Sequence, residues 1–412
     1  MKRVAVERWI APAVGLAAVL SIGIGWSVDL WSAHAPWVAP VYQEVLLEAS
    51  DCGLAALGIF ALVAGRASAT RRLSSPARVT AVAGGVLLAL LALSVPEAIA
   101  PPLSVAATAR VGLGLLVYLA VTRRPCLGRW LVIGFGGLIL LELPLIALQE
   151  ATQSQFPLLA LLGIRGDPVP ASTAGAFIVF GPGGTRWQRA LGSFPHPNVL
   201  GGFLAVALVL ALPLRERPPF RPAAHGGKPT PSPWTGRAGV GALPIPSSAA
   251  WWILWIIGWV ELAFSFSRAG LLAALLGCGI WWISQRGQGR SSLVGLLVAP
   301  VLALAGAAVV AGPFLLPRLA PTPDLLTSTP VSGRLLLGPV AGALILAHPI
   351  FGVGAGNFTL AELAPPFDAV AVDPVHVVPL LVAAEAGVPA GLAWVVLVVG
   401  GPIAEWRQRG FG

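Results

Sequence analysis

The side chains best suited to chemistry in this 412-residue chain are a few arginines and one histidine at the edges of long apolar runs. Arg268, in FSFSRAGLLAALLG, falls between two such runs with no room for a proper loop. A guanidinium at that depth is costly unless it is paired, hydrated or bound to an anion. Its planar fork suits two phosphate oxygens at once; position alone fits a side chain snorkelling to the outer headgroups equally well. Arg334, in VSGRLLLGPVAGALILAHP, opens an apolar helix. A cation in a first helical turn stands near the positive end of the dipole, which suits it only beside an anionic ligand; a solvated loop arginine is the plain alternative. His376, in DPVHVVPLLVAAEAGVPAG, lies at the mouth of the last apolar run. An imidazole there could accept a proton from an acceptor hydroxyl, or could serve only as a capping or hydrogen-bonding residue.

Three further residues are candidates for support of such a site: Arg189, His196 and Glu385. His196 stands between Pro195 and Pro197, which restrict the backbone, so GSFPHPNVLGG reads as structural, with Asn198 capping the helix that follows. Glu48, Asp51, Glu142, Glu150, Glu261 and Glu385 are the acids available to neutralise the arginines, since a glutamate within a span is rarely without a partner. No acidic pair has a histidine at metal-ligand spacing, so neither a dedicated metal site nor a cofactor is expected. GxSxG, P-loop and Rossmann fingerprints are missing. Cys52, Cys126 and Cys278 show no CxxC or Cys/His spacing, and no disulfide is expected.

The elements that must position these residues are membrane helices. The chain is 56% hydrophobic and 10% charged, against roughly a quarter charged for a soluble domain. Apolar runs of about twenty residues, enough to cross roughly 30 Å of hydrocarbon, recur from end to end. The pattern predicts an all-α polytopic protein of about ten transmembrane helices, near 9–28, 45–65, 79–95, 103–122, 130–150, 196–213, 250–267, 269–285, 291–316 and 377–400. MKRVAVERW and the run after it read as an uncleaved first span, because a signal-peptide core is usually shorter and ends at a small-residue cleavage site.

With the N-terminus inside, 19 of the 26 basic residues fall in cytoplasmic segments, as the positive-inside rule requires. Both termini are then cytoplasmic, in an inner membrane. Arg110, Arg165, Arg186, Arg189, Arg268, Arg318 and Arg334 run against the rule and call for a reason. Two long segments, 151–195 and 317–376, lie outside, while 214–249, rich in Pro, Gly and Arg, reads as a disordered cytoplasmic connector. Residues 1–150 form an N-terminal bundle of about five spans, and 151–412 a second region carrying the outer segments. The net charge of +9 does not indicate nucleic acid, because the cations sit between apolar spans rather than on one soluble face. Only Lys2 and Lys228 are lysines.

Four stretches taken together resemble the O-antigen ligase and polymerase superfamily: LGSFPHPNVLGGFLA at 191–205, FSFSRAGLLAALL at 264–276, GRLLLGPVAGALILAHPIFGVGAGNF at 333–358, and VHVVPLLVAAEAGVPAG at 375–391. Order and spacing match as well as the motifs, over roughly the C-terminal half. The resemblance implies a membrane-embedded fold of the glycosyltransferase C type and action on undecaprenyl-diphosphate-linked glycans. It implies that Arg268 and Arg334 hold the donor diphosphate and that His376 is the essential outer histidine. The family usually has Asn directly after that histidine, where this chain has Val377, and usually continues for about two more spans.

The expected reaction is therefore metal-independent, inverting transfer or polymerisation of the lipid-linked glycan at the outer membrane face, with a glycan, lipid or protein as acceptor. A transporter or flippase for a lipid-linked or anionic substrate would use the same arginines but would need polar residues through the membrane depth. A purely structural scaffold gives no reason for Arg268.

Overall fold

The computed structural model describes residues 12–23, 27–34, 43–65, 73–123, 125–155, 169–170, 177–215, 248–285, 293–319, 329–363 and 374–410. The protein is mostly helical. The described helices are α1 (12–20), α2 (Ala49–Gly65), α3 (Ser75–Ser94), α4 (Pro101–Arg123), α5 (Pro125–Thr152), α6 (Pro197–Arg215) and α7 (Ser248–Phe264). They continue with α8 (Arg268–Gln285), α9 (Leu293–Leu319), α10 (Thr329–Ala347), α11 (Phe358–Glu362), α12 (Val378–Ala386) and α13 (Val388–Gly410). Among the described residues, four helical stretches are long and apolar enough to cross a membrane: Ser75–Glu97, Pro101–Arg123, Trp130–Thr152 and Leu296–Phe314. Six further apolar helices are shorter.

Several expected boundaries are corrected. The fold is not purely helical: β1 (Ser27–Ser32) pairs with β2 (Glu44–Glu48), β3 (Ser154–Gln155) with β4 (Val169–Pro170), and β5 (Ile178–Phe180) with β6 (Arg186–Gln188), all antiparallel. The stretches expected as the ends of spans 9–28 and 45–65 enter the first of these ladders, where the β-favouring Val28, Trp31 and Val45 pair across the two strands. Residues 377–400 form two helices, not one. Gly387, at φ +87°, ends α12, and a Cβ there would strike the Ile350 carbonyl. The connector at 214–249 and Arg165 lie almost wholly or wholly outside the described residues.

The chain divides into two compact units: Met1–Gly25 with Pro125–Pro321, and Trp26–Arg124 with Thr322–Gly412. In the first, Leu200, Leu204, Leu208 and Leu212 of α6 recur every fourth residue and are fully buried against Trp251, Trp255 and Trp259 of α7. The Trp255–Trp259 rings meet edge to face at 5.8 Å, and Trp255 Nε1 donates to the Leu208 carbonyl at 3.3 Å. In the second unit, α3 packs on α13 where Gly400 and Gly401 let the helices approach, since a Cβ at either would press on Val79 or Thr80, while Gly84 makes room for Leu115 of α4. Arg110 of α4 holds the β1–β2 ladder to α2. Its Nη2 donates to the Leu46 carbonyl at 2.7 Å and to Asp51 at 3.0 Å, with Glu48 at 3.4 Å. This gives Arg110 a structural reason for standing against the positive-inside rule.

Candidate functional site

Within the first unit the stretches 191–205 and 264–276 are brought together. Chain emerging from β6 is fastened to the top of α5 by a run of buried polar contacts. Gln149 Oε1 accepts from the N–H of Leu191 at 3.1 Å and of Gly192 at 2.9 Å, and its Nε2 donates to the Gly192 carbonyl at 2.9 Å. Glu142 accepts from Ser193 N at 2.7 Å and Oγ at 2.5 Å. Glu150 accepts from Trp187 Nε1 at 2.8 Å. Gly192, at φ +58°, has no room for a Cβ beside the Glu142 carboxylate, which accounts for the glycine of LGSF.

The segment next reaches the break between α7 and α8. Ala190 N donates to the Phe264 carbonyl at 3.0 Å. The buried Arg189 donates from Nε to the Ser265 carbonyl at 3.1 Å and from Nη2 to Asn198 Oδ1 at 2.7 Å. Arg189 thus holds the break in place. The expected capping by Asn198 is corrected. Helix α6 begins at Pro197, so the residue in capping position is His196, whose Nδ1 accepts from Asn198 N at 2.9 Å. Asn198, two positions past the cap, turns its side chain to Arg189 instead.

The break itself is three residues long. Phe266 adopts φ +51°, uncommon for a bulky residue, and its buried ring among Val179, Ala263, Ala307 and Ala311 fixes it there. Ser267 caps α8, its Oγ accepting from Gly270 N at 3.2 Å. Helices α6 and α8 touch backbone to backbone at this level, because a Cβ on Gly270 would lie 2.8 Å from the Gly201 carbonyl oxygen. Arg268 is consequently the first residue of α8, half-buried. Among the described residues no carboxylate or hydrogen-bond acceptor pairs with it. The first helical turn also directs backbone N–H groups outward, so cation and dipole together suit an anion.

Within the second unit the stretches 333–358 and 375–391 meet. Gly352, Gly354 and Gly356 all have positive φ and carry the chain from α10 to α11 in a tight loop. Glu385 of α12 accepts from the backbone N–H groups of Gly356 and Phe358, the latter at 3.2 Å, so it shapes this loop rather than facing an arginine. At the centre is the fully buried Asn357. Its Oδ1 accepts from Ala100 N at 2.6 Å, and its Nδ2 donates to Ser104 Oγ at 2.9 Å and the Ala355 carbonyl at 3.0 Å. Asn357→Ala leaves several of these groups unpaired and is expected to cost about 2 to 4 kcal/mol, read as a lowered midpoint of thermal unfolding in detergent. An unchanged midpoint would remove Asn357 as the loop's anchor.

His376 is exposed two residues before α12, whose first turns are anchored by the Val377 carbonyl accepting from Leu380 and Leu381. Arg334 falls in the second turn of α10, not its first. That helix begins five residues earlier, at Thr329, with Pro330 pre-set for an early helical position. The dipole argument made for Arg334 therefore applies to Arg268 instead. Arg268 belongs to the first unit, and Arg334 and His376 to the second.

Part of the chain that carries these two clusters matches a known family. Residues 252–395 match the O-antigen ligase family model. The matched residues contain Arg268, Arg334, His376, Asn357 and Glu385, and three of the four motifs that carried the resemblance. The resemblance is borne out there. LGSFPHPNVLGGFLA, with Arg189 and His196, precedes the matched residues. A comparison with curated proteins yields no match.

The network around Arg189, Gln149, Asn198 and Ser267 was legible only in part. Short polar residues beside GG and AG pairs signal a close helix approach, but not which helices approach.

Proposed function

We propose that this membrane protein transfers a glycan from an undecaprenyl-diphosphate donor to an acceptor hydroxyl at the outer face of the cytoplasmic membrane, by ligation or polymerisation. The observation that carries the reading is Arg268, a half-buried arginine at the first position of α8, unpaired among the described residues and inside those matched to O-antigen ligase. An unpaired guanidinium at the positive end of a helix is poorly placed in a resting protein and well placed beside a diphosphate.

In this reading Arg268 and Arg334 bind the diphosphate oxygens and stabilise the charge that develops as the anomeric C–O bond to phosphate breaks, each charged hydrogen bond contributing on the order of 1.5 to 3 kcal/mol. The acceptor oxygen attacks the anomeric carbon from the opposite side, inverting it, while His376 takes the hydroxyl proton. A lipid diphosphate is a good leaving group, so the step needs no metal. Arg189 supports the α7–α8 break on which Arg268 stands, His196 caps α6, whose Asn198 receives Arg189, and Glu385 supports the loop packed beside α12.

The test is reconstitution of the full chain in vesicles with an undecaprenyl-diphosphate oligosaccharide and a panel of acceptors: lipid A core, the same oligosaccharide, and a protein. Extension of one acceptor with release of undecaprenyl diphosphate is expected. Movement of the donor between leaflets with no extended product would overturn the reading in favour of a flippase.

A further inference from the structure

Helices α3 and α13 pack together along the buried Ala83 and Ala393, and an open hollow runs along one side of their seam. It is a trough of ≈ 410 Å³ whose walls are aliphatic: Val82, Ala83 and Val86 of α3, Ala393 and Val396 of α13. Val82 is 61% exposed, Val86 48% and Val396 49%. In a membrane protein such a surface is covered by hydrocarbon.

Two lining residues in the first turn of α3 break the pattern, Ser75 and the charged Arg78. Arg78 is exposed at the end of the trough. Its Nη2 donates to the neutral Leu73 carbonyl at 3.4 Å, and among the described residues no carboxylate meets it. No acidic residue lines the trough, and the sequence places Arg71 and Arg72 shortly before.

We propose that this trough is a specific site for an anionic phospholipid, its phosphate on Arg78 and one acyl chain lying against Val82, Ala83, Val86, Ala393 and Val396. The shape offers a hydrocarbon slot, and the end of the slot offers a guanidinium fork suited to phosphate oxygens. The net cationic surroundings select a headgroup with net negative charge over a zwitterionic one. The lipid lies along the seam of α3 and α13 and touches both helices.

Native mass spectrometry of the full chain in mild detergent, titrated with phosphatidylglycerol and with phosphatidylcholine of the same acyl chains, tests this. One saturable phosphatidylglycerol per chain is expected, bound more tightly than phosphatidylcholine and more weakly as salt rises. Arg78→Gln should weaken phosphatidylglycerol by about fivefold or more and Arg78→Lys by less. Val86→Trp, on a lipid-facing position, keeps Arg78 and fills the trough, and should displace the lipid even if Arg78→Gln does not fold. Equal affinity for the two lipids in the unmodified chain, or undiminished phosphatidylglycerol binding in Arg78→Gln or Val86→Trp, would overturn the site.

Discussion

Replacing Arg268 by lysine is expected to lower transfer by on the order of tenfold to a hundredfold while leaving the protein folded. The loss follows from geometry: lysine keeps the charge but offers a point ammonium in place of a fork that can engage two diphosphate oxygens, and one charged hydrogen bond is worth on the order of 1.5 to 3 kcal/mol. Preservation of the fold follows from the surroundings. The α7–α8 break is held by Ser265, Ser267 and Arg189, and Arg268 contributes no partnered contact among the described residues. Arg268→Gln, which removes the charge as well, should be more severe than lysine. Initial rates in vesicles over a range of donor concentrations distinguish the roles, because an anchor that merely snorkels to the headgroups is served equally well by lysine. Transfer by Arg268→Lys at near the unmodified rate would therefore remove the diphosphate role from this residue.

Much of what surrounds Arg268 could be anticipated from the chain. The apolar runs predict α3, α4, α5, α6, α8 and α9 closely, because a helix in hydrocarbon must satisfy its own backbone and so its length is written in the sequence. The spacing of FSFSRAG leaves no room for a loop, and the structure has three residues there. What local sequence cannot carry is the partner of each polar side chain. Gln149 stands in LELPLIALQEATQ as one polar residue near a helix end, and only the fold brings the 191–192 backbone to it. Asn357 reads as part of a glycine-rich turn, yet its contacts are with Ala100 and Ser104, some 250 positions away in the chain.

The misplaced boundaries have a common physical origin. Hydropathy averages over a window, so it merges SVDLWS with the run before it and EVLLE with the run after it, although the two pair with each other as strands. It also passes over Gly387, one residue in an apolar run, whose positive φ divides α12 from α13. The same averaging cannot tell that α10 starts at Thr329, which moves Arg334 away from the helix end. Backbone conformation at single residues, rather than composition, decides each of these cases.

His376→Ala is expected to reduce turnover by about a hundredfold or more with little change in donor binding. If the imidazole accepts the acceptor's proton or orients its hydroxyl, it acts on the reacting oxygen, and general-base contributions are typically about a hundredfold to ten-thousandfold. The donor diphosphate is assigned to Arg268 and Arg334, so affinity for it should survive. His376 is exposed and lies before α12, whose first turn is anchored by the Val377 carbonyl and whose Pro379 pre-sets the backbone, so the start of the helix has supports other than the ring. Val377 follows where the family usually has Asn, which leaves the imidazole as the polar side chain available at this position. A histidine that only holds the loop predicts a different pattern: His376→Ala would give less folded protein or a lower unfolding midpoint, and each folded molecule would turn over normally. Donor affinity, folded yield and turnover measured on one preparation separate these patterns, and full turnover per folded molecule would take His376 out of the reaction.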